Sequence, residues 1–266
     1  MVKRSKSERS NNIMPEVIFP GPDGRLEGRY HPQKTKDAPI AILLHPHPQF
    51  GGTMNNKVTY HLFKSFVDNG FSVLRINFRG VGKSEGTFND GVGELQDATA
   101  ALNWLHSKNM EASIFWLAGF SFGSWVGLQA IMRRPDIERY ILAAPPASKY
   151  NFNFIVPCSA SGMIIQGTAD DISLEKDSSK IADKLNLREE AEVKYNVVPD
   201  ANHFFSDHLS EFDRLTNDYI KESILEDSGK VKKVKRDRRR RRRKKKDTPL
   251  TRSEQYRSPI KPLSSL

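Results

Sequence analysis

The chain has a single cysteine, Cys158, among its 266 residues. No disulfide can close within it, which fits a reducing compartment. Long apolar runs are missing too: nothing approaches the roughly 18 consecutive apolar residues of a membrane helix. The opening MVKRSKSERSNN is basic but is not followed by the apolar stretch of a secretory signal. These absences predict a cytoplasmic protein with no transmembrane segment. Acidic side chains are scarce only at the two ends. Residues 230–266 hold 17 Lys/Arg against 3 Asp/Glu, and residues 1–14 hold 4 against 1. Residues 15–229 carry 21 against 28, so the net charge of +10 describes the ends and not the body. An acidic body argues against a nucleic-acid surface built into the fold and for a basic arm attached to a globule.

What is present between residues 15 and 227 is an alternation of short apolar runs with helical patterns. IAILLH (40–45), FSVLRINF (71–78), IFWLAGF (114–120), RYILAAP (139–145), GMIIQG (162–167) and AEVKYNVVP (191–199) read as strands. Helical patterns cover 58–70, 93–109, 123–134, 173–185 and 206–227, with Gly70 a stop signal for the first. Strand–helix alternation with continuously apolar strands predicts an α/β fold, a mostly parallel sheet flanked by helices. Only about fifteen residues, 146–160, separate two strands where a helical lid would be inserted, so no large lid domain is expected. Residues 1–14 and 228–266 cannot bury a core, and disordered basic segments are expected there.

Ser121 lies in Gly119-Phe-Ser-Phe-Gly123, at the seam between the strand 114–120 and the helix 123–134. A strand, G-x-S-x-G and a helix in that order make the context in which small residues admit neighbouring backbone and a serine hydroxyl stands exposed above the sheet. A serine hydroxyl needs a base, and the base needs an acid to orient it. Asp170 and Asp171 follow the strand 162–167, and His203 follows the strand 191–199. All then lie at the carboxyl ends of strands, where open α/β sheets bind ligands. The ordered set Ser, acid, His outweighs the reading of Ser121 as a turn residue and His203 as a loop histidine. An oxyanion hole needs two backbone N–H groups: that of Phe122, next to the serine, and one from the loop after an earlier strand. In His45-Pro46-His47-Pro48 the prolines have no N–H, so His47 is the candidate donor. The same histidines lack a third ligand at a credible spacing, so no metal and no cofactor are expected.

Together HPHPQFGGTMNNKV, RINFRGVGKSEG, DGVGELQDA, GFSFGSW and NHFF resemble the α/β-hydrolase superfamily. Within it they resemble the bacterial branch described as dienelactone-hydrolase-like or Xaa-Pro-peptidase-like, over residues 15–225. The resemblance implies a Ser121–Asp170–His203 hydrolase, because the superfamily's acid sits as G-x-x-D, which selects Asp170 over Asp171. His45-Pro46 stands where many members have His-Gly, and Asn77 replaces an acid of the D-x-R-G-x-G-x-S segment, a structural position. The expected activity is hydrolysis of a carboxylic ester or thioester, a small-molecule acyl substrate.

The competing readings are an aminopeptidase-like amidase with the same residues, and a nucleic-acid- or ribosome-associated protein using the fold as a scaffold. Non-specific contact with nucleic acid or an anionic surface would use residues 230–246, and a homo-oligomer could help shape the site. Phe50, Phe88, Phe120, Phe122 and Phe154 near the site would favour an apolar group. Glu94 and Asp97 are expected to be solvated or to favour a helix N-terminus, His208 to be a surface residue, and Trp104, Trp116 and Trp125 to be core.

Overall fold

The computed structural model describes residues 15–156, 158–187 and 191–227. The expected basic segments 1–14 and 228–266 lie outside them. The chain divides into two compact units, one ending at Ile220 and one over Lys221–Leu266. In the second, residues 221–227 are described and are helical.

The first unit is built on one eight-stranded sheet. Its strands are β1 (Glu16–Gly21), β2 (Gly24–His31), β3 (Ile40–Leu44), β4 (Ser72–Ile76), β5 (Phe115–Phe120), β6 (Arg139–Ala143), β7 (Ser161–Gly167) and β8 (Val193–Val198). They lie in the order β1-β2-β4-β3-β5-β6-β7-β8. The pairs β1–β2 and β2–β4 are antiparallel, and all others are parallel. The helices are α1 (Lys57–Asp68), α2 (Val92–Lys108), α3 (Phe122–Ile131) and α4 (Glu175–Leu185), with further helical residues over 209–220.

The six parallel strands are the six runs read from the sequence, and the reason is burial on both faces. Ile40, Ile42 and Leu44 of β3 join Leu117, Leu142 and Ile164 in one core with Ala98 and Leu102 of α2, Val126 of α3 and Ile181 of α4. The alternate residues face the other way. There Trp116 meets Phe66 of α1 at 5.6 Å and Tyr219 at 5.8 Å, edge to face. Gly70 does end α1: at φ +86° it donates to Val67 O, while Phe71 donates to Phe66 O and packs its ring 5.0 Å away.

The hairpin β1–β2 was not among the expected strands. It sits at the edge of the sheet, only Phe19 of β1 is buried, and charges interrupt both strands. Phe19 pairs across with Leu26, which supplies its apolar face. Between β6 and β7 the described residues form no helix, so nothing there covers the carboxyl edge of the sheet as a helical lid would. The last helix begins at 209, after turns that include Phe205 at φ +51°, so half-buried His208 precedes it. Trp116 is fully buried, whereas Trp104 and Trp125 are only half-buried against the core.

Candidate active site

Ser121 occupies the last position before α3, at φ +53° and ψ −120°, a strained conformation for a residue with a side chain. What holds it there is local. Its N–H donates to Ala143 O of β6 at 2.9 Å. Ser124, one turn on, shares its single Oγ–H between Gly119 O and Ala143 O, 2.7 and 2.9 Å away, tying the helix start to two strands. The flanking glycines have the close approaches the motif demands. A Cβ on Gly119 would lie 2.4 Å from Gly123 O, and one on Gly123 would lie 2.3 Å from Leu44 O.

Asp170 lies three residues past Gly167, the end of β7, and His203 lies past β8. The two loops are laced by backbone hydrogen bonds, Thr168 N–H to Val198 O and Ala169 N–H to Ala201 O. Gly167 permits this, since a Cβ there would sit 2.2 Å from Ala201 O. The lacing brings the three side chains together. His203 Nε2 is 2.9 Å from Ser121 Oγ, and His203 Nδ1 is 2.8 Å from Asp170 Oδ2. Ser121, Asp170 and His203 are 8, 3 and 4% exposed, so the chain of hydrogen bonds is shielded, with Ser121 its most exposed member.

Asp170 is oriented by four donors. Its Oδ1 accepts from the N–H groups of Ile172 and Ser173 at 2.9 and 2.7 Å; its Oδ2 takes Gln166 Nε2 at 3.0 Å beside the imidazole. Gln166 is itself fully buried and fixed by Ser178 Oγ–H and the Ser173 carbonyl. Asp171 is exposed instead. Gln166 was missed by the sequence reading, although an amide at the end of the apolar run Met163-Ile-Ile-Gln166 is the kind of buried polar residue that needs a partner.

The loop after β3 carries His47. Fully buried His45 accepts Phe78 N–H at Nε2 (3.0 Å), so its proton is on Nδ1 and donates to Pro46 O at 2.5 Å. Burial pulls the His45 imidazole down to about 4, partly offset by that bond to the carbonyl. In a trans peptide the C=O and the next N–H point in opposite directions. Fixing Pro46 O therefore fixes the His47 N–H, aimed away from His45. Gly52 lies against the same carbonyl, where a Cβ would be 2.1 Å from it, and donates its N–H to His47 O. Phe122 N–H begins α3 directly after Ser121.

Glu94 and Asp97 are both buried, so neither is solvated; Glu94 serves the N-terminus of α2, as expected, while Asp97 does neither. Glu94, in the first turn of α2, accepts the N–H groups of Asn89 and Gly91 at 3.0 and 2.7 Å, the return bond of a capping box whose N-cap, Gly91, has no side chain to complete it. Asp97 holds Arg79 through its side chain at 2.8 Å and its N–H at 2.9 Å, both residues nearly inaccessible. Asn77 bridges Met54 N–H and the Glu27 carboxylate, both at 2.8 Å. These contacts pin the loop 77–91 beside the site. Among the described residues no group of three His, Cys, Asp or Glu could hold a metal ion, and no helix is long and apolar enough to cross a membrane.

Sheet order, the strained serine at a strand–helix turn and its neighbours define the class: an enzyme of the α/β serine hydrolase kind. The chain belongs to the family described as X-Pro dipeptidyl-peptidase (S15 family), whose profile matches residues 28–248. An uncharacterised protein of Rickettsia prowazekii is 46% identical over 211 residues, covering 78% of this chain and 89% of that one. Among solved structures, a protein of unknown function from Agrobacterium tumefaciens, a candidate α/β hydrolase, is 49% identical with a TM-score of 0.77. The match covers 79% of this chain and 97% of that chain. A Xanthomonas campestris α/β serine hydrolase without a lid is 30% identical with a TM-score of 0.70, over 79% and 94% of the two chains.

Proposed function

We propose that the enzyme hydrolyses a carboxylic ester or thioester through Ser121, His203 and Asp170. One observation carries this reading: the continuous hydrogen-bonded path from Asp170 Oδ2 through His203 to Ser121 Oγ, at 2.8 and 2.9 Å. Asp170 holds Nδ1–H, which leaves Nε2 as the acceptor facing the serine. As Oγ bonds to the acyl carbon, its proton passes to Nε2 and the carbonyl electron pair moves to oxygen. The oxyanion is received by the N–H groups of His47 and Phe122. Its collapse breaks the bond to the leaving oxygen or sulfur, which takes the proton from Nε2. Water then repeats the sequence on the acyl-enzyme, returning the serine and releasing the acid. The substrate is a small-molecule acyl compound, and the catalytic domain is residues 15–227.

Fluorophosphonate labelling tests it. Label is expected on Ser121 within minutes, and no label in Ser121→Ala or His203→Ala. Labelling of another residue, or an unreactive Ser121 in folded protein, overturns the assignment. The family match favours one second reading, an aminopeptidase-like amidase with the same nucleophile. Hydrolysis of Xaa-Pro-anilides in preference to p-nitrophenyl acetate would select it.

A further inference from the structure

We propose that the acyl site selects an aryl group, stacked among Phe50, Phe88 and Tyr150 around the ring of His47. The inference rests on the hydrolase reading above and names its substrate class. The His47 ring lies 4.6 Å from Phe50, 4.9 Å from Phe88, 4.9 Å from Phe122 and 6.4 Å from Tyr150. Trp125 extends the group, with its ring 4.5 Å from Tyr150 and 5.6 Å from Phe122.

These rings are not a sealed core. Phe122 is their buried floor at 1% exposure, but His47, Phe88, Tyr150 and Trp125 are half-buried, and Phe50 is 85% exposed. A contiguous exposed aromatic surface marks a binding site more often than a scattered apolar residue does. Its rings are also mounted rigidly. Phe50 ends a short turn closed by hydrogen bonds to His47 O and bounded by Pro48 and Gly51. Phe88 precedes the two amides capped by Glu94. Tyr150 donates its N–H to Pro146 O and lies against Trp125, whose indole N–H is held by Asn151 O. Rings fixed before binding lose little freedom on stacking.

The direction of the acyl group follows from the tetrahedral intermediate. Its oxyanion faces the His47 and Phe122 N–H groups, and its leaving atom must reach His203 Nε2, whose ring neighbours are Phe120 and Phe204. The remaining substituent is the acyl group, and the ring cluster around His47 and Phe122 is the aromatic surface beside the oxyanion donors that we assign to it.

The test holds the leaving group constant and varies only the ring, using the p-nitrophenyl esters of 3-phenylpropanoate and 3-cyclohexylpropanoate on the full-length protein. The kcat/KM ratio is expected to favour the aryl ester about tenfold, from stacking beyond area burial. It should fall toward one in the double variant Phe50→Leu/Phe88→Leu and in Tyr150→Leu, because leucine keeps apolar bulk without a ring. A wild-type ratio near one, with p-nitrophenyl acetate turned over normally, overturns the aryl proposal and leaves the hydrolase standing. A ratio that survives both variants overturns the assignment to these rings. Absence of turnover of every ester, with Ser121 unlabelled by fluorophosphonate, removes the hydrolase reading and this inference with it.

Discussion

Asp170→Asn is the sharpest single perturbation of the proposed mechanism. The carboxylate accepts four hydrogen bonds and donates none: two backbone N–H groups at Oδ1, and His203 Nδ1 with Gln166 Nε2 at Oδ2. An asparagine has one accepting oxygen. Turned toward Ile172 and Ser173, it presents its NH2 to His203 Nδ1. That nitrogen must then accept, so the ring proton moves to Nε2, which points at Ser121 Oγ as a donor and cannot take its proton. Turned the other way, the NH2 confronts two backbone donors only 2.7 and 2.9 Å away. The first arrangement costs less, and it inactivates the base. We expect kcat for p-nitrophenyl acetate to fall about 10⁴-fold, roughly 5.5 kcal/mol in the barrier, with KM little changed. Stability should suffer modestly, by about 1–2 kcal/mol, since Gln166 Nε2 keeps the Ser173 and Gly167 carbonyls as acceptors. Steady-state kinetics beside urea unfolding separates the two effects. Loss of less than tenfold, or a comparable loss in the exposed Asp171→Asn, refutes the reasoning.

His47→Pro removes the second proposed oxyanion donor and should lower kcat about 10²–10³-fold, whereas His47→Ala, which keeps the N–H, should lose under about tenfold on p-nitrophenyl acetate. Equal losses in the two variants, measured side by side, would show that the ring and not the amide matters. Because His45 is held at about 4 against an ordinary 6.5, the unfolded chain binds more protons between those values. Its contribution is complete above about pH 6.5 and is lost as pH falls toward 4, by about 3 kcal/mol. Urea unfolding at pH 7 and pH 5 should show a steeper acid loss in wild type than in His45→Gln; parallel losses would exclude His45. Outside the described residues, the run 230–246 has 14 Lys/Arg, one acid and no aromatic residue. If about six of those charges meet phosphates of single-stranded RNA, log K should fall with log salt at a slope near −4, and truncation after residue 228 should abolish binding but keep turnover. Retained RNA binding in the truncated protein would clear the tail of that role.

The parallel strands and their helices were legible because each element is apolar at the period of its own geometry, as in Ile40–Leu44, or carries its own stop, as at Gly70. The edge hairpin was not, because Glu16, Arg25 and Glu27 break the pattern that Phe19 and Leu26 would otherwise make. The candidate site was legible in outline for a topological reason. Once strands are parallel, each residue just after a strand lies at the same edge, so the order Ser121, Asp170, His203 already implies proximity. Gln166 and the capture of Pro46 O by His45 belong to a different kind of information. They depend on which lone pair meets which proton, and no spacing encodes that.

The ring cluster was legible in part and the buried acids hardly at all. Phe50, Phe88 and Phe122 were expected near the site because their loops follow strands, and they meet at His47, whereas Tyr150 was not expected there and Phe154 stacks on Phe152 instead. Those loops owe their shape to carboxylates that composition counts as surface charge. Glu27 is nearly inaccessible and accepts from Asn77 Nδ2 and Lys83 N–H, both at 2.8 Å, while Glu94 and Asp97 tie down Asn89, Gly91 and Arg79. Each satisfies amide or guanidinium donors that would otherwise be buried unpaired, and a loop rich in glycine has many such donors and little apolar surface to fix it. Part of the body's acidic excess is therefore the means by which the 77–91 loop is held against the site. It follows that Glu94→Gln should loosen Phe88 before it unfolds the sheet, because that carboxylate bonds loop amides and no strand residue; faster amide exchange at Asn89 and Gly91 with an unchanged urea midpoint is the expected result.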